Sequence, residues 1–351
     1  MTAPLLTIAI PTFNRADCLE RLLETLLVEL RGLEGRVSIV VSDNASTDRT
    51  QEVIAAFTLR WPGVRALRND KNLGMDGNFL ACAEHVDGAH FWLLSDDDLP
   101  RAGLVRALLD LLERESPDLV YMDSRWLPEI ADNDPTQPVG ALQGLRLGQL
   151  AFARRVHVWT TYLSGMVVRT TPLLREPARL RRYSGTQVSQ LAWVLEALRD
   201  GSRFIHITTP CILATEGNTG GYKVLKVFGQ HVPAIMREML PERVVRAMLR
   251  RMATTYLPNL LCGLREARLG RFEHEDAAEV LRQQFGGMLA FRLLLEPIGN
   301  GSLATVHRAL WLARQVHRAL RLHDRLAEHL GGGATSLLHT TKASCPRSCD
   351  C

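Results

Sequence analysis

The sequence lacks a marked excess of charge of either sign, and it lacks long apolar runs. The 42 Lys and Arg residues against 38 Asp and Glu residues do not favour a nucleic-acid-binding protein, in which basic residues dominate and cluster. No apolar run reaches the roughly 18 residues that a membrane-spanning helix needs. The first residues have neither the basic stretch nor the small-residue cleavage site of a signal peptide, so we expect a cytoplasmic protein.

Cysteine is sparse except at the C-terminal end. Four of the seven cysteines are scattered singly, as small core residues usually are: Cys18, Cys82, Cys211 and Cys262. The other three lie within the last seven residues, but three cysteines alone do not supply the four ligands of a structural zinc site. We therefore interpret residues 331–351 as a disordered tail.

The first 125 or so residues alternate short apolar runs with helical patterns. Four runs predict buried strands, at residues 5–10, 37–41, 64–67 and 91–94. Helices between them are predicted by apolar residues at helical spacing, with Ser46 or Thr47 expected to cap the second helix and Pro100 to open the fourth. Strands that alternate with helices in this way indicate an α/β fold with a mostly parallel sheet.

The remaining chain is less regular at first and then helical. Proline and glycine between residues 125 and 148 predict a long loop. After it, the pattern predicts strands at 162–168 and 204–207 and a helix at 186–199. From Tyr222 onward the pattern is helical. We expect a domain over residues 1–221, with halves 1–125 and 126–221, and a helical region over residues 222–330.

Polar side chains follow each of the first four predicted strands. They occupy residues 11–15, 43–48, 69–78 and 96–98. Because ligands bind beyond the carboxyl ends of parallel strands, we expect these four segments to form one site.

The three consecutive carboxylates Asp96, Asp97 and Asp98 are the most informative of these residues. Like charges this close repel one another, and a hard divalent cation such as Mg²⁺ or Mn²⁺ relieves the repulsion. The competing interpretation is a solvated acidic turn before the next helix. Convergence of the other three segments favours a site for metal and phosphate.

Other polar residues have both a ligand-binding and a structural interpretation. Asp43 lies at a strand tip, too early to cap a helix, which indicates a carboxylate that accepts from a nucleobase or ribose. Asp48 fits a helix cap equally well. Arg15 fits either a phosphate contact or the surface, and Asn72 with Gly74 fits either a turn or the close approach of a flat ligand.

Four segments over residues 5–125, in order, resemble a known family. They read IAIPTFNR, IVVSDNASTDRT, NLGMDGN and SDDD. The chain resembles the family 2 glycosyltransferases, which have the GT-A fold, a Rossmann-like, mostly parallel sheet flanked by helices. The resemblance implies a nucleotide-sugar donor and a divalent cation, Mn²⁺ or Mg²⁺.

The resemblance also implies roles for individual residues. Asp96 and Asp98 match the D-x-D pair that holds the cation, while Asp97 contacts the sugar and, with Asp98, counts among the catalytic candidates. The implied donor-site residues are Pro11, Thr12, Asn14, Arg15, Asp43, Asn72, Gly74, Asn78, Asp96 and Asp97. A weaker similarity, over 185–190 and 218–222, is to abequosyltransferase-like enzymes of bacterial surface polysaccharide assembly.

The general base departs from the family pattern. Family members invert the configuration of the transferred sugar by a single displacement. Their general base is often the Asp of a Glu-Asp pair at the start of a later helix. The comparable segment here, residues 184–190, contains no carboxylate. Glu216 in a glycine-rich loop is preferred, with His206 and Asp98 as further candidates, whereas Glu196 within a helix better fits a structural role.

The last predicted helix has an apolar stripe flanked by arginines over residues 303–325. Such a helix can lie on an anionic membrane, or it can pack on the catalytic domain with its arginines in solvent. The first interpretation predicts a peripheral protein on the inner face of the cytoplasmic membrane, with a glycan or polyprenyl-diphosphate-linked acceptor.

Two other functions remain open at this point. A nucleotidyltransferase shares the α/β layout and acidic metal site, although residues 11–15 are not its usual glycine-rich basic loop. A non-catalytic sugar-nucleotide-binding protein is the third interpretation, and the missing Glu-Asp pair is its only support.

Overall fold

The computed structural model describes residues 3–61, 63–128, 135–215, 223–265 and 276–330, and the following statements concern these residues. Nine described strands form one sheet. They are β1 (Leu6–Thr12), β2 (Val37–Asp43), β3 (Val64–Arg68), β4 (His90–Leu93), β5 (Leu99–Pro100), β6 (Leu119–Leu127), β7 (Gly144–Leu147), β8 (Met166–Arg169) and β9 (Phe204–Thr215).

The sheet is mixed, with a parallel half and an interleaved antiparallel strand. Its order is β3-β2-β1-β4-β8-β6-β9-β5, and β7 also pairs with β9. Strands β1 to β4 are parallel, and β8 is antiparallel to both of its neighbours, β4 and β6. Strand β6 is parallel to β9, so both run in the direction of β1 to β4. Strands β1 to β4, β6 and β9 therefore end at the same edge.

The described helices flank the sheet and then continue alone after β9. They are α1 (Ala16–Glu29), α2 (Thr50–Arg60), α3 (Gly74–Ala83), α4 (Leu104–Glu115), α5 (Gln149–Val156), α6 (Pro172–Arg175), α7 (Pro177–Leu180), α8 (Leu191–Asp200), α9 (Val224–Lys226), α10 (Val232–Met239), α11 (Glu242–Arg251), α12 (Leu257–Arg265), α13 (Ala277–Phe285), α14 (Glu296–Asn300) and α15 (Leu303–Leu330).

Several of the later helices are joined by turns of a different pitch. Residues Val227–His231 form a π-helical turn between α9 and α10, and Met252–Tyr256 form another between α11 and α12. A third π-helical turn, Phe291–Leu295, leads into α14. Residues His157–Thr161 form a 3₁₀ turn after α5.

Two apolar cores lie on the two faces of the sheet. Side chains alternate along each strand, so that Ile8 and Trp92 enter the core beneath α1, α2 and α4, while Ala9 and Phe91 enter the other. The second core contains α3, α5, α8 and the helices that follow β9. Burial on both faces explains why the strands read as continuous apolar runs.

The predicted α/β class and the four predicted strands of the first half are confirmed. The cap at Ser46 or Thr47 is wrong, because α2 begins at Thr50 and no side chain of its N-cap residue bonds to it. The position of Pro100 is also wrong. It lies in β5, which pairs with β9, and α4 begins only after Gly103, whose φ is 81°.

The second half contains more strand than the pattern predicts. Strand β9 extends to Thr215, and β7 lies inside the predicted loop of residues 125–148. Helix α8 begins at Leu191 rather than at residue 186, and α3 begins at Gly74, ahead of residue 78. The tail of residues 331–351 lies outside the described residues.

Helix length and apolar character were also compared with the requirements of a membrane span. Among the described helices, none is both long enough and apolar enough to cross a bilayer.

His157 is expected to make the stability of the fold depend on pH. Burial, followed by the positive charges of Arg251 and His317, lowers its pKa to about 3. An unfolded histidine titrates near 6.5, so below that pH the unfolded chain binds more protons than the folded one. The free energy of unfolding should therefore fall with falling pH between about 6.5 and 3, by roughly 1.4 kcal/mol per pH unit for this group.

The variant His157→Asn should remove this contribution. The residue has a φ of 36°, and asparagine, like histidine, is enriched among the non-glycine residues with positive φ. Urea unfolding at pH 7 and pH 5 should show a smaller loss of stability in the variant than in the wild type. His307→Asn, an exposed position on α15, is the control and should retain the wild-type pH dependence. An unchanged pH dependence in His157→Asn would contradict this assignment.

Candidate active site

The loops after β1 and β2 are joined by reciprocal hydrogen bonds. The Asn14 backbone N–H donates to Ser46 Oγ over 2.8 Å, and the Thr47 N–H donates to Asn14 Oδ1 over 2.7 Å. Asn14 and Ala45 both have positive φ, 51° and 63°, which turns each loop sharply at the strand end. Asparagine favours this conformation more than most residues do. The two loops therefore form one rigid unit.

Asp48 caps two helices at once. Its Oδ2 accepts from the Ala16 N–H over 3.0 Å, and its Oδ1 accepts from the Thr50 N–H over 3.1 Å. These groups lie at the N-termini of α1 and α2, where backbone N–H groups lack helical partners. The sequence left Asp48 either as a ligand-binding residue or as a helix cap, and in the structure it is a helix cap.

Asp43 is fully buried, although the sequence indicates a ligand-facing carboxylate. Its Oδ1 accepts from the Ser46 N–H over 2.9 Å, and its Oδ2 accepts from Gln51 Nε2 over 2.5 Å. Arg68 Nε lies 3.9 Å from Oδ2. Asp43 thus stabilises the loop after β2, and its contact with a nucleobase or ribose stays a prediction.

A network of amide side chains organises the loop after β3. Asn44 Nδ2 donates to Asn72 Oδ1 over 2.8 Å, and Asn44 Oδ1 accepts from Asn69 Nδ2 over 3.0 Å and from the Leu73 N–H over 2.9 Å. Asn72 Oδ1 also accepts from the Gly74 N–H over 2.8 Å. Gly74 has a φ of 73°, so the turn interpretation of Asn72 and Gly74 is present in the structure.

Asn78 connects the ends of β1 and β2 from within α3. Its Nδ2 donates to the Ser42 carbonyl over 3.0 Å and to the Thr12 carbonyl over 3.3 Å. Its Oδ1 accepts from Ser42 Oγ over 2.7 Å and from Asn69 Nδ2 over 3.2 Å. The side chain is buried, and these four bonds use its hydrogen-bonding capacity.

The three carboxylates after β4 are held in different ways. Asp96 accepts from Thr12 Oγ1 over 2.7 Å and from Arg15 Nη1 over 3.1 Å. Asp97 accepts from the same Arg15 nitrogen over 2.7 Å. Arg15 thus joins the loop after β1 to the acidic turn, and its contact with a phosphate stays a prediction.

Asp98 is held by a residue from a later segment of the chain. Its Oδ2 accepts a hydrogen bond from the Tyr162 hydroxyl over 2.9 Å. Burial, reinforced by the charge of Asp97, raises the pKa of Asp98 to about 7. Burial likewise raises the pKa of Asp96 to about 6, against the opposing effect of Arg15. A nearby positive charge would therefore stabilise the ionised form of both carboxyls.

The oxygen donors of Asp96 and Asp98 fit a hard divalent cation. In the part of the chain that the structure describes, no group of three or more His, Cys, Asp and Glu residues could hold a metal. A cation here would take only one or two protein carboxylates and complete its shell with water and substrate oxygens. This is the usual arrangement for Mg²⁺ at phosphate sites.

The structure narrows the candidates for a general base. The buried carboxylate of Glu196 accepts from the Leu173 N–H over 3.0 Å at the start of α6, which confirms its structural role. His206 Nδ1 accepts from Arg155 Nε over 2.8 Å, so its ring lone pair is already engaged. Glu216 and the rest of its glycine-rich loop lie outside the described residues.

Asp123 is a carboxylate at this edge that the sequence reasoning missed. It lies at a bulge in β6 between Met122 and Ser124, its side chain is 38% exposed, and its Oδ1 lies 2.8 Å from His206 Nε2. Because Arg155 can only donate, His206 must carry its proton on Nε2 and donate to Asp123. The sequence feature that could have identified Asp123 is an acidic residue directly after an apolar run.

Asp76 is a second missed residue, and it positions the segment where a Glu-Asp pair was expected. Its carboxylate accepts from the Gln187 N–H over 2.8 Å and from the Ser189 N–H over 3.0 Å. Gln187 has a φ of 63°. A carboxylate from α3 thus fixes the turn over 184–190, which has none of its own.

Comparison with known proteins gives a family for the first part of the chain. Residues 7–138 match the model of glycosyl transferase family 2. The abequosyltransferase RfbV of Salmonella typhimurium (strain LT2) is 38% identical over 123 residues, 34% of this chain and 33% of that protein. Validoxylamine A glucosyltransferase of Streptomyces hygroscopicus subsp. jinggangensis is 46% identical over 54 residues, 15% of this chain and 13% of that protein. The first of these alignments spans about a third of the relative.

Solved structures show the same fold over most of the chain. TarS 1–349 of S. aureus in complex with UDP-GlcNAc has a TM-score of 0.59 and 11% identity, covering 90% of this chain and 92% of that one. The same TarS segment in another crystal structure has a TM-score of 0.55 and 12% identity, covering 90% and 91%. This likeness shows the fold, including the helices after the sheet.

Proposed function

We propose that this chain, which carries a family 2 glycosyltransferase domain over residues 7–138, moves a sugar from a nucleoside-diphosphate sugar to a glycan or lipid-linked glycan. The observation that carries the proposal is the chain of hydrogen bonds that joins the loops after β1, β2, β3 and β4 at one edge of the sheet. The loops after β1 and β2 hold each other, and Arg15 ties the first of them to Asp96 and Asp97.

The proposed donor site divides between the loops and the acidic turn. The base and ribose lie against the loops after β1 and β2, beside Thr12, Asn14 and Asp43, as the family resemblance implies. Arg15 is near enough to the carboxylates to offer a positive charge to the diphosphate as well. A divalent cation held by Asp96 and Asp98 supplies electrostatic stabilisation of the diphosphate as it leaves.

The proposed reaction is a single displacement with inversion. The oxygen of an acceptor hydroxyl forms a bond to the anomeric carbon, while the bond from that carbon to the diphosphate oxygen breaks on the opposite face. The hydroxyl proton passes to a carboxylate of this chain, and the nucleoside diphosphate leaves with its electron pair. Because we assign Asp98, a further candidate from the sequence, to the metal, we propose two carboxylates as the base: Glu216, preferred from the sequence, and Asp123, which His206 orients.

The donor, acceptor and accessory regions are proposed to follow one another along the chain. We assign the donor to residues 1–125, the acceptor to 126–221, and an accessory helical role to 222–330. In helix α15, Trp311 and Leu322 are 62% and 60% exposed, and Arg314 and Arg318 lie on the same helix. These features support contact with an anionic membrane surface and a polyprenyl-diphosphate-linked acceptor in bacterial surface polysaccharide synthesis.

The melting temperature of the purified chain with nucleotides tests the donor site. UDP, dTDP, CDP and GDP are compared, each with and without Mn²⁺. A nucleotide at about 100 times its Kd stabilises the folded state by about 2.7 kcal/mol, which shifts the melt measurably. We expect one nucleotide to act, and only with the metal. If no nucleotide shifts the melt under either condition, the proposed donor site is wrong.

A further inference from the structure

A row of five aromatic rings leads away from the acidic turn. Trp126 has its ring centroid 5.1 Å from that of Tyr162 and 6.0 Å from that of Trp159. Trp159 continues to Tyr256 at 6.3 Å, and Tyr256 to Phe228 at 5.2 Å. These spacings are those of interacting aromatic pairs, so the rings form one connected surface, here called the aromatic row.

The aromatic row differs from the aromatic residues of the core in its access to solvent. Trp92, Phe91 and Phe204 are at most 1% exposed. Trp126 is instead 41% exposed, whereas the other four rings are partly buried and pack against the core on that face of the sheet. The exposed part of Trp126 gains no burial energy in the free protein, and aromatic surface beside a polar site commonly binds ligands.

One end of the row touches the proposed reaction centre. The Tyr162 hydroxyl donates to Asp98, and Tyr162 is the ring that stacks on Trp126. Trp126 itself lies near the carboxyl end of β6, opposite Ala214 of β9. The exposed tryptophan is therefore one ring away from the carboxylate that we assign to the metal.

The other end of the row is supplied by the helices after the sheet. Phe228 lies in the π-helical turn Val227–His231, and Tyr256 lies in the π-helical turn Met252–Tyr256. A π-helical turn inserts one residue into a helix and redirects its neighbours, and such turns are frequent at functional sites. Two separate helices thus depart from regular geometry where they contribute a ring to this row.

The sheet order places the aromatic row on the side away from the nucleotide loops. Two strands, β4 and β8, separate β1 from β6. At about 4.8 Å per strand, the ends of β1 and β6 are roughly 14 Å apart. The acidic turn follows β4, between them. A donor sugar at the acidic turn therefore has the nucleotide on one side and the aromatic row on the other.

From this placement we propose that Trp126, with Trp159 and Tyr162, is the subsite on which a pyranose ring of the acceptor saccharide stacks. The chair of a pyranose presents axial C–H bonds on its flat face, which suit an aromatic ring, and hydroxyls at its edge, which need polar partners. Asp123, on the same strand and 38% exposed, supplies such a group. This subsite rests on the proposed glycosyltransferase function and deepens it.

Saturation-transfer NMR on the full chain tests the subsite without knowledge of the true acceptor. The probes are the methyl pyranosides of glucose, galactose, mannose, rhamnose and N-acetylglucosamine at millimolar concentration, with UDP, dTDP, CDP and GDP in parallel samples. The variants are Trp126→Ala and Trp126→Phe. Trp311→Ala, which removes another exposed tryptophan on α15, is the matched control. Thermal melts verify that each variant folds.

We expect ring C–H protons of at least one pyranoside to be saturated in the wild type and in Trp311→Ala. The signal should fall about fivefold or more in Trp126→Ala, as expected for the loss of one stacking contact, and should be partly retained in Trp126→Phe. Nucleotide signals should be unchanged in all three variants. If Trp126→Ala does not fold, Trp126→Leu, which is apolar but has no ring, replaces it, and a signal that is equal in Trp126→Leu and the wild type overturns the proposal.

Other outcomes separate the subsite from the donor site. Loss of a nucleotide signal in Trp126→Ala would make the row a nucleobase platform and overturn the proposal. A nucleotide signal without any pyranoside signal in the wild type would also overturn it. A pyranoside signal that depends on Trp126, with no nucleotide bound to any sample, would support the subsite and overturn the donor-site proposal.

Discussion

Replacing Asp98 by asparagine is expected to abolish sugar transfer while leaving the fold intact. The carboxylate is buried, its pKa is raised to about 7, and its Oδ2 accepts from Tyr162. Asparagine keeps the shape and one acceptor oxygen but cannot carry the negative charge that a divalent cation needs. We expect the release of nucleoside diphosphate from the donor to fall by a factor of about 10³ or more, the scale of losing a main electrostatic stabiliser.

Stability and binding measurements distinguish this effect from unfolding. Because ionisation of the buried carboxylate is unfavourable, the melting temperature of Asp98→Asn should equal or exceed that of the wild type. The shift caused by nucleotide with Mn²⁺ should disappear. Asp110→Asn, an exposed position on α4, is the matched control and should behave as the wild type in all three measurements. Wild-type turnover in Asp98→Asn would refute the assignment of this residue to the reaction centre.

Replacing Asn78 by leucine is expected to be the most destabilising single change near the site. The variant removes the Asn78 amide as a partner of the Ser42 hydroxyl and the Ser42 carbonyl, whereas the Thr12 carbonyl keeps the Asn44 backbone N–H. Each buried polar group that loses its partner costs about 1 to 3 kcal/mol, so the free energy of unfolding should fall by about 2 kcal/mol or more. This is a large part of the 5 to 15 kcal/mol that is typical of proteins.

Urea unfolding measures the loss as a lower midpoint at unchanged slope. Asn72→Ala is the control. Asn72 is exposed and its Oδ1 accepts two hydrogen bonds in the same network, so its replacement should cost about 1 kcal/mol or less. Equal midpoints for Asn78→Leu and the wild type would mean that the buried amide does not hold the strand ends together.

Local patterns predicted the elements of the first half because each strand and helix there follows its own periodicity. Two examples can be recognised without any other part of the chain: the apolar run of Leu6–Thr12 and the leucine stripe of Ala16–Glu29. Pro100 was misplaced because its pairing with Ile212 of β9 is a contact across more than a hundred residues. Strands that depend on a distant partner, such as β5 and β7, leave little signal in a short window.

The candidate site was predictable in position and less so in detail. Polar residues after parallel strands converge by topology alone, which is why Arg15 and the three aspartates could be expected in one place. Whether a given side chain faces a ligand or the protein is set by neighbours that no spacing rule identifies. Asp43 and Asp48 both end as loop and helix anchors, and Asp123 was missed because β6 was not recognised as reaching this edge.

The α/β class, the parallel half of the sheet and the acidic turn follow from local sequence patterns, since each depends on residues close together in the chain. The partners of that turn come from distant segments, and the folded structure is needed to identify them. Tyr162 reaches Asp98 from 64 residues away, and Asp76 fixes Gln187 across 111 residues. The aromatic row likewise joins a strand, a 3₁₀ turn and two π-helical turns. Such contacts arise from packing, which brings distant segments together without leaving a local pattern in any of them.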